Sequence, residues 1–323
     1  MRKALLIVTA VLLALLLWQF DYHSFWRSIK AVSWQALCLL FLLQIISQLL
    51  LNYQWCRIAK TVGGESSFMK MLYVNARGMI VECITPGVKI GGEVTRAVLL
   101  KKEMNYSGSE AASLVTLQKV ISLSAFFLIN VLALLGLSSR VEFLQDSVVR
   151  FMVYLFILSI LAVFACLFLF DRKLDTKVRS WTPQRNWLHK LKHYLLLLFE
   201  HVAVLKSTRG ELSKQLMLSV IIWLLFPAKM LVLVSLFAAN YDPLFIIGVT
   251  FISYMIGMIP LLPGGLGSFE ATMTALLLLM NLPVTDAVTI TILFRFITFW
   301  FVILISIAFS GVWKLRQLRG SLN

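Results

Sequence analysis

Long uncharged apolar runs recur along this sequence, and they constrain its fold more than any other feature. Residues 4–20, 114–137, 151–170 and 289–312 form runs of 17 to 24 residues with very few charges. About 20 apolar residues are what a helix needs to cross a hydrocarbon core roughly 30 Å thick. Charged residues make up only 14% of the chain, where soluble domains carry about 25%. The expected fold is an all-α polytopic membrane protein, with residues 1–323 forming one membrane domain.

The net charge of +15 is explained by its placement. Basic residues gather at alternate inter-helix segments: Arg2 and Lys3; Arg57 and Lys60; Lys101 and Lys102; the stretch 171–214; then Lys314, Arg316 and Arg319. The intervening segments 21–33, 138–149, 240–243 and 281–286 are balanced or acidic. This positive-inside alternation places both termini in the cytoplasm, in what reads as a bacterial inner membrane, and argues against a nucleic-acid partner. Arg2-Lys3 and the run 4–20 resemble a signal peptide, but residues 16–20 (LLWQF) offer no small-residue cleavage site, so 4–20 reads as a retained span. Cys38, Cys56, Cys83 and Cys166 lack CxxC spacing, which points to packing residues rather than a disulfide framework or a metal site. No cofactor or metal is expected.

The expected spans are 4–20, 34–51, 111–137, 151–170, 215–239 and 287–312. Two further apolar regions are too long for one crossing and are broken near their middles. Region 68–100 contains Pro86-Gly87 and Gly91-Gly92, and region 244–282 contains Pro260, Pro263, Gly264, Gly265 and Gly267. Proline and glycine cannot sustain a helix there. Six spans plus two re-entrant helical hairpins satisfy the charge rule throughout. Each half, 1–148 and 149–323, then holds three crossings and one hairpin, so the second half is inverted.

The breaks themselves correspond. "PGVKIGGE" runs from Pro86 to Glu93 and "PGGLGSFE" from Pro263 to Glu270, each with a glutamate seven positions after the proline. Lys119 follows Glu93 by 26 residues, and Arg295 follows Glu270 by 25. Paired broken helices in an inverted repeat are the sequence pointer to a transporter-like site at the repeat interface.

Irregular backbone at membrane depth is tolerated only against protein or a watery cavity. Glycine permits close approach, and the helix resuming after Gly267, with Ser268 as its expected N-cap, would present free N–H groups suited to an anion such as phosphate. The cations Arg77, Lys89, Arg96, Lys119, Lys229 and Arg295 lie in or beside apolar segments with Glu82, Glu93 and Glu270. Six cations against three acids favour a bound anion over a metal, and arginine suits bidentate phosphate contact. Each feature has a plainer reading. Arg77, Lys89 and Arg96 would snorkel to the interface, and Glu93 and Glu270 would pair with Arg96 and Arg295 to hold helices together. Lys229 would satisfy carbonyls freed by Pro227, and Asn75 would make an interhelical hydrogen bond. The candidate substrate-binding set is Asn75, Arg77, Pro86, Gly87, Gly91, Gly92, Glu93, Arg96, Lys119, Pro263, Gly264, Gly265, Gly267, Glu270 and Arg295, with Lys89 and Lys229 as additions.

In segment 186–206, Leu188, Leu191, Leu195, Leu198, Val202 and Leu205 recur at helical spacing among His189, Lys190, Lys192 and His193. This is either a basic amphipathic helix lying on the inner leaflet or a packing helix between the halves.

"TPGVKIGGEVTRAVLL" (85–100), "LPGGLGSFEA" (262–271) and "LFRF" (293–296) resemble the flippase-like transmembrane region of bacterial lysylphosphatidylglycerol synthases, the multiple peptide resistance factor group, and its stand-alone relatives. The resemblance covers essentially the whole chain. It implies a bundle with two re-entrant hairpins in inverted symmetry, moving a lipid between leaflets. The sequence departs from the pattern twice. It ends at Asn323 after the last span, without the aminoacyl-transfer domain of the synthases, and Gln118 in "LQKVI" stands where an acidic residue beside Lys119 is expected.

Three function classes follow. The first is a translocator of an anionic, phosphate-bearing lipid, such as a phospholipid or a polyprenyl-phosphate-linked lipid, with the bilayer itself as its other partner. The second is a membrane enzyme acting on lipid phosphates. It is weakened because His23, His189, His193 and His201 all fall outside the expected spans. The third is a non-transporting partner of a glycosyltransferase or lipid-modifying enzyme. Self-association into a homo-oligomer is compatible with all three.

Overall fold

The computed structural model describes residues 32–85, 90–137, 145–182, 185–259 and 263–320, together with 26 and 30. The expected span 4–20 and the candidate residues Pro86, Gly87 and Lys89 lie outside the described residues. Among those described, the chain is helical: α1 (Trp34–Thr61), α2 (Phe68–Ile84), α3 (Ile90–Glu103), α4 (Gly108–Leu137), α5 (Ser147–Leu169), α6 (Asp171–Ser180), α7 (Asn186–Ser207), α8 (Glu211–Val234), α9 (Pro243–Gly257) and α10 (Ser268–Leu278). The last helix, α11, runs from Val284–Arg295 through a π-helical turn, Phe296–Trp300, into Phe301–Gly320. Five of these, α1, α4, α5, α8 and α11, are long and apolar enough to cross a membrane. The protein is therefore a multi-pass membrane protein.

α1 begins at Ser33, whose hydroxyl accepts the Ala36 N–H at 3.3 Å. The helix continues to Thr61, ten residues past its expected end at 51. Hydropathy falls at Asn52, Gln54 and Arg57, but neighbouring helices supply their partners. Asn52 donates to the Phe68 carbonyl at 3.1 Å, and Gln54 donates to Ser219 Oγ at 2.6 Å. Arg57 grips Glu211 with two bonds of 2.6 and 2.7 Å. Polar contacts of this kind hold helices together where lipid removes most of the hydrophobic drive to associate.

Two helical hairpins replace the broken apolar regions. In the first, Gly78 lies against the Arg96 side chain and Gly92 against Glu82, so α2 and α3 run antiparallel. In the second, Asp242 caps α9 by accepting the Leu244 N–H at 2.9 Å. The chain then passes a 3₁₀ turn, Pro263–Gly265, into α10, which returns so that Phe269 meets Tyr254 with ring centroids 4.9 Å apart. α2, α3, α9 and α10 have 17 residues or fewer, about 25 Å of helix at most.

α4 joins two apolar cores. Leu114, Leu117 and Ile121 pack with Trp55, Met71, Leu100 and Val202, whereas Phe126 and Ala133 pack with Trp223, Phe251, Phe269 and Phe294. α5 packs one face on these cores through Val153, Ile157, Leu161 and Leu167 and exposes Phe151, Leu155 and Val163 on the other. The four cysteines form no disulfide among the described residues; Cys56 is buried, and Cys38 and Cys166 are exposed.

The stretch 171–214 contains α6, α7 and the start of α8. α7 packs against the bundle, the second of the two readings of this segment. Leu198, Val202 and Leu205 are buried in the core shared with α4, Tyr194 Oη donates to Thr116 Oγ1 at 2.9 Å, and His201 Nδ1 lies 2.8 Å from Ser113 Oγ. Helical periodicity alone does not distinguish a face turned to lipid from one turned to protein.

Burial lowers the His201 pKa below its ordinary value, against the opposing pull of Glu200 and Glu110. The folded state thus holds this histidine neutral more firmly than the unfolded chain does. Its contribution to stability is complete above about pH 6.5 and is lost as pH falls below that, where the unfolded state takes up the extra proton. Melting curves of wild type and His201→Gln between pH 5 and 8 should show the wild type's advantage shrinking toward pH 5. A pH-independent difference would contradict this.

Candidate functional site

The second hairpin's tip is held by side chains from three directions. Gly264 and Gly265 have φ of +64° and +69°, a region that glycine enters without strain. A methyl group on Gly265 would stand 2.3 Å from the Gly257 carbonyl oxygen, and one on Gly264 would stand 2.7 Å from the Phe299 ring. Arg295 Nη2 donates to the Gly264 carbonyl. Its Nε lies 2.9 Å from Glu270 Oε1, and its guanidinium sits 4.7 Å from the Phe269 ring centroid and 4.0 Å from that of Phe299. Phe299 follows Arg295 by four residues on the same helix, the spacing at which helical side chains meet.

Glu270, not Ser268, closes the start of α10. Its Oε2 accepts the Gly267 N–H at 2.7 Å, whereas Ser268 is the helix's first residue and donates to the Gly265 carbonyl at 3.2 Å. The carboxylate thus satisfies a free helix-terminal donor and faces the positive dipole end while pairing with Arg295.

The first hairpin carries a four-membered charge chain. Arg96 Nη2 donates to Glu82 Oε2 at 3.1 Å, Arg96 Nη1 lies 3.1 Å from Glu93 Oε1, and the same oxygen accepts from Lys119 Nζ at 2.9 Å. Thus Glu93 meets Lys119, and Glu270 meets Arg295, each through the first span after its hairpin.

The second hairpin's tip meets the end of α2: a methyl group on Gly264 would lie 3.7 Å from the Cys83 carbonyl oxygen. Contacts therefore run from Arg295 through Gly264 to Cys83, and on from Glu82 to Arg96, Glu93 and Lys119.

Other candidates stand apart from this chain or serve it differently. Gly91 and Gly92 let the hairpin arms pack closely: a Cβ there would strike Thr85 Oγ1 at 2.4 Å and Glu82 Cβ at 2.8 Å. Asn75 donates to Asn52 Oδ1 at 3.0 Å, an interhelical bond to α1. Lys229 is fully buried at the α1–α8 seam, donating to Gln44 Oε1 and to Ser47 Oγ rather than to carbonyls freed by Pro227. The Phe226 ring, 4.3 Å from Lys229 Nζ, and Tyr254 stand between it and Phe269. Arg77 is exposed on α2. Of the five described cations, Lys229 and Arg77 therefore stand apart from the other three. Among the described residues, Arg96, Lys119 and Arg295 face Glu82, Glu93 and Glu270, three against three. Gln118 donates to Gln54 Oε1 at 3.3 Å, which ties α4 to α1. The aromatic clamp on Arg295 went unnoticed in the sequence, although Phe269 adjoins Glu270 and Phe299 stands one turn from Arg295.

A multi-pass helical membrane protein with two helical hairpins, each followed by a helix whose cation pairs with the hairpin's glutamate, is the class of protein that fold and site define. The chain belongs to the family described as the lysylphosphatidylglycerol synthase TM region, whose model matches residues 4–306. It is 26% identical over 315 residues to a UPF0104 membrane protein of Pyrococcus horikoshii, covering 93% of this chain and 94% of that relative. It is 24% identical over 280 residues to one of Methanothermobacter thermautotrophicus, covering 82% of each. A third, from Methanocaldococcus jannaschii, is 22% identical over 269 residues, covering 81% of this chain and 80% of the relative.

Proposed function

We propose that the protein translocates an anionic, phosphate-bearing lipid across the cytoplasmic membrane. The observation that carries this reading is the contact of the second hairpin's tip with the end of α2, each hairpin bearing a glutamate paired with a cation from the following span. In this reading the hairpins are re-entrant from opposite faces, the halves 1–148 and 149–323 are inverted, and both termini are cytoplasmic. Membership of a family named for the membrane region of a lipid synthase supports a lipid substrate. The lipid phosphate exchanges partners with the glutamates: Arg96, Lys119 and Arg295 release Glu93 and Glu270 and take the headgroup. A released carboxylate is then free to accept a proton, which would couple movement to a gradient.

The test is leaflet exchange in liposomes containing only this protein, using headgroup-labelled phosphatidylglycerol and a labelled polyprenyl phosphate. Exchange of either probe above the protein-free rate is the expected result. No exchange of either, with or without an imposed proton gradient, would sink the proposal.

A further inference from the structure

Arg77 poses a separate question. It lies nine residues into α2, roughly 13 Å along the helix axis from Phe68 at 1.5 Å per residue, and it is exposed. No carboxylate among the described residues pairs with it, unlike Arg96, Lys119 and Arg295. An arginine within a membrane-embedded helix costs up to about 2.5–3.5 kcal/mol on insertion scales unless something answers its charge.

The facing helix supplies two more donors. Tyr73, one turn before Arg77, stacks on Trp313 of α11 with ring centroids 5.8 Å apart. α11 runs antiparallel to α2, since Phe299 reaches the hairpin tip where α2 ends. The turn of α11 preceding Trp313, which holds Ser310, therefore stands at the level of Arg77. Trp313 Nε1 and Ser310 Oγ are both buried without a hydrogen-bond partner among the described residues, and Ser310 is only 6% exposed. Other hydroxyls of the same helix bond back to the carbonyl four residues earlier, as Thr291 and Thr298 do at 2.9 and 2.8 Å. A buried donor left unmade costs about 1–3 kcal/mol, so two beside an unpaired arginine point to an acceptor-rich ligand.

We propose that the seam between α2 and α11 binds the phosphate of an anionic glycerophospholipid through Arg77, Ser310 and Trp313. Arg77 supplies the charge and two or more N–H groups, the indole supplies a donor with no acceptor capacity, and the hydroxyl rotates to suit. The surroundings fit a lipid rather than a free ion: α11 exposes Leu304 and Ile307, and α3, packed on α2, exposes Val94 and Val98. The site lies apart from the hairpin tips and does not depend on translocation.

The test reconstitutes the full chain in phosphatidylcholine vesicles containing a trace of phosphatidylglycerol with a photoreactive acyl chain. Labelled peptides are then mapped by mass spectrometry. Labelling should concentrate on α2 and α11 over the exposed face of α5. It should fall at least about tenfold in Arg77→Ala, the loss expected for one charge-assisted hydrogen-bonding group. It should fall less in Ser310→Ala and partly return in Arg77→Lys. Excess phosphatidylglycerol should compete, whereas diacylglycerol and inorganic phosphate should not. Competition by inorganic phosphate would mean a free-ion site and overturn the lipid assignment. Equal labelling of α5, or no change in an Arg77→Ala protein of unaltered melting temperature, would reduce the seam to ordinary boundary lipid and overturn the proposal. Because the readout is binding, its failure is distinguishable from a failure of translocation.

Discussion

Gly265→Ala is expected to destabilise the protein by at least about 3 kcal/mol, or to prevent its folding, through two additive effects. The residue sits at φ +69°, where an alanine loses roughly 1–2 kcal/mol. Its new Cβ would also lie 2.3 Å from the Gly257 carbonyl oxygen. That oxygen belongs to helix backbone and cannot rotate away, so the hairpin would have to open. Gly63→Ala separates the two effects, because Gly63 has φ +81° with nothing within 4 Å of the new methyl. It should lose only the dihedral share. Thermal unfolding of both variants in detergent is the check; equal losses would show that the tip is not tightly closed.

The second large effect concerns Glu93. Its Oε1 serves Arg96 at 3.1 Å and Lys119 at 2.9 Å, so Glu93→Gln leaves Lys119 without a carboxylate partner and Arg96 dependent on Glu82 alone. Breaking a buried pair typically costs 3–5 kcal/mol. Lys119 retains 28% side-chain exposure, which places the expected loss at about 2–3 kcal/mol. Removing the stranded cation as well, in Glu93→Gln/Lys119→Met, should recover part of that loss, with a coupling of about 1 kcal/mol or more. Strict additivity of the two single variants would mean that the pair does not interact.

Much of this site was legible before any coordinates. The matching distances from Glu93 to Lys119 and from Glu270 to Arg295 have a simple cause. A hairpin returns the chain to the side from which the next span starts, so a cation partway along that span meets the hairpin's glutamate. Proline and glycine at the breaks marked the hairpins for the same reason that they end helices. What was not legible depended on direction. Spacing could not show that Gly91 and Gly92 allow a close approach of α3 to α2. Nor could it show that Lys229 turns to Gln44 and Ser47 on a helix about 180 residues away. The cap at Gly267 was assigned to Ser268 by residue preference, yet the carboxylate two residues further on reaches back and prevails. α1 outran its apolar stretch because its polar residues find partners on α8, a tertiary fact invisible to hydropathy.

The central claim is that lipid passes by way of the paired hairpins, and leaflet exchange of phosphatidylglycerol in wild type, Arg295→Ala and Gly63→Ala tests it most directly. Arg295 holds the tip through the Gly264 carbonyl, Glu270 and two aromatic rings, whereas Gly63 lies in the loop between α1 and α2. The account predicts that Arg295→Ala slows exchange at least about thirtyfold, the equivalent of about 2 kcal/mol, while Gly63→Ala exchanges at the wild-type rate. Wild-type exchange by a folded Arg295→Ala protein would contradict it.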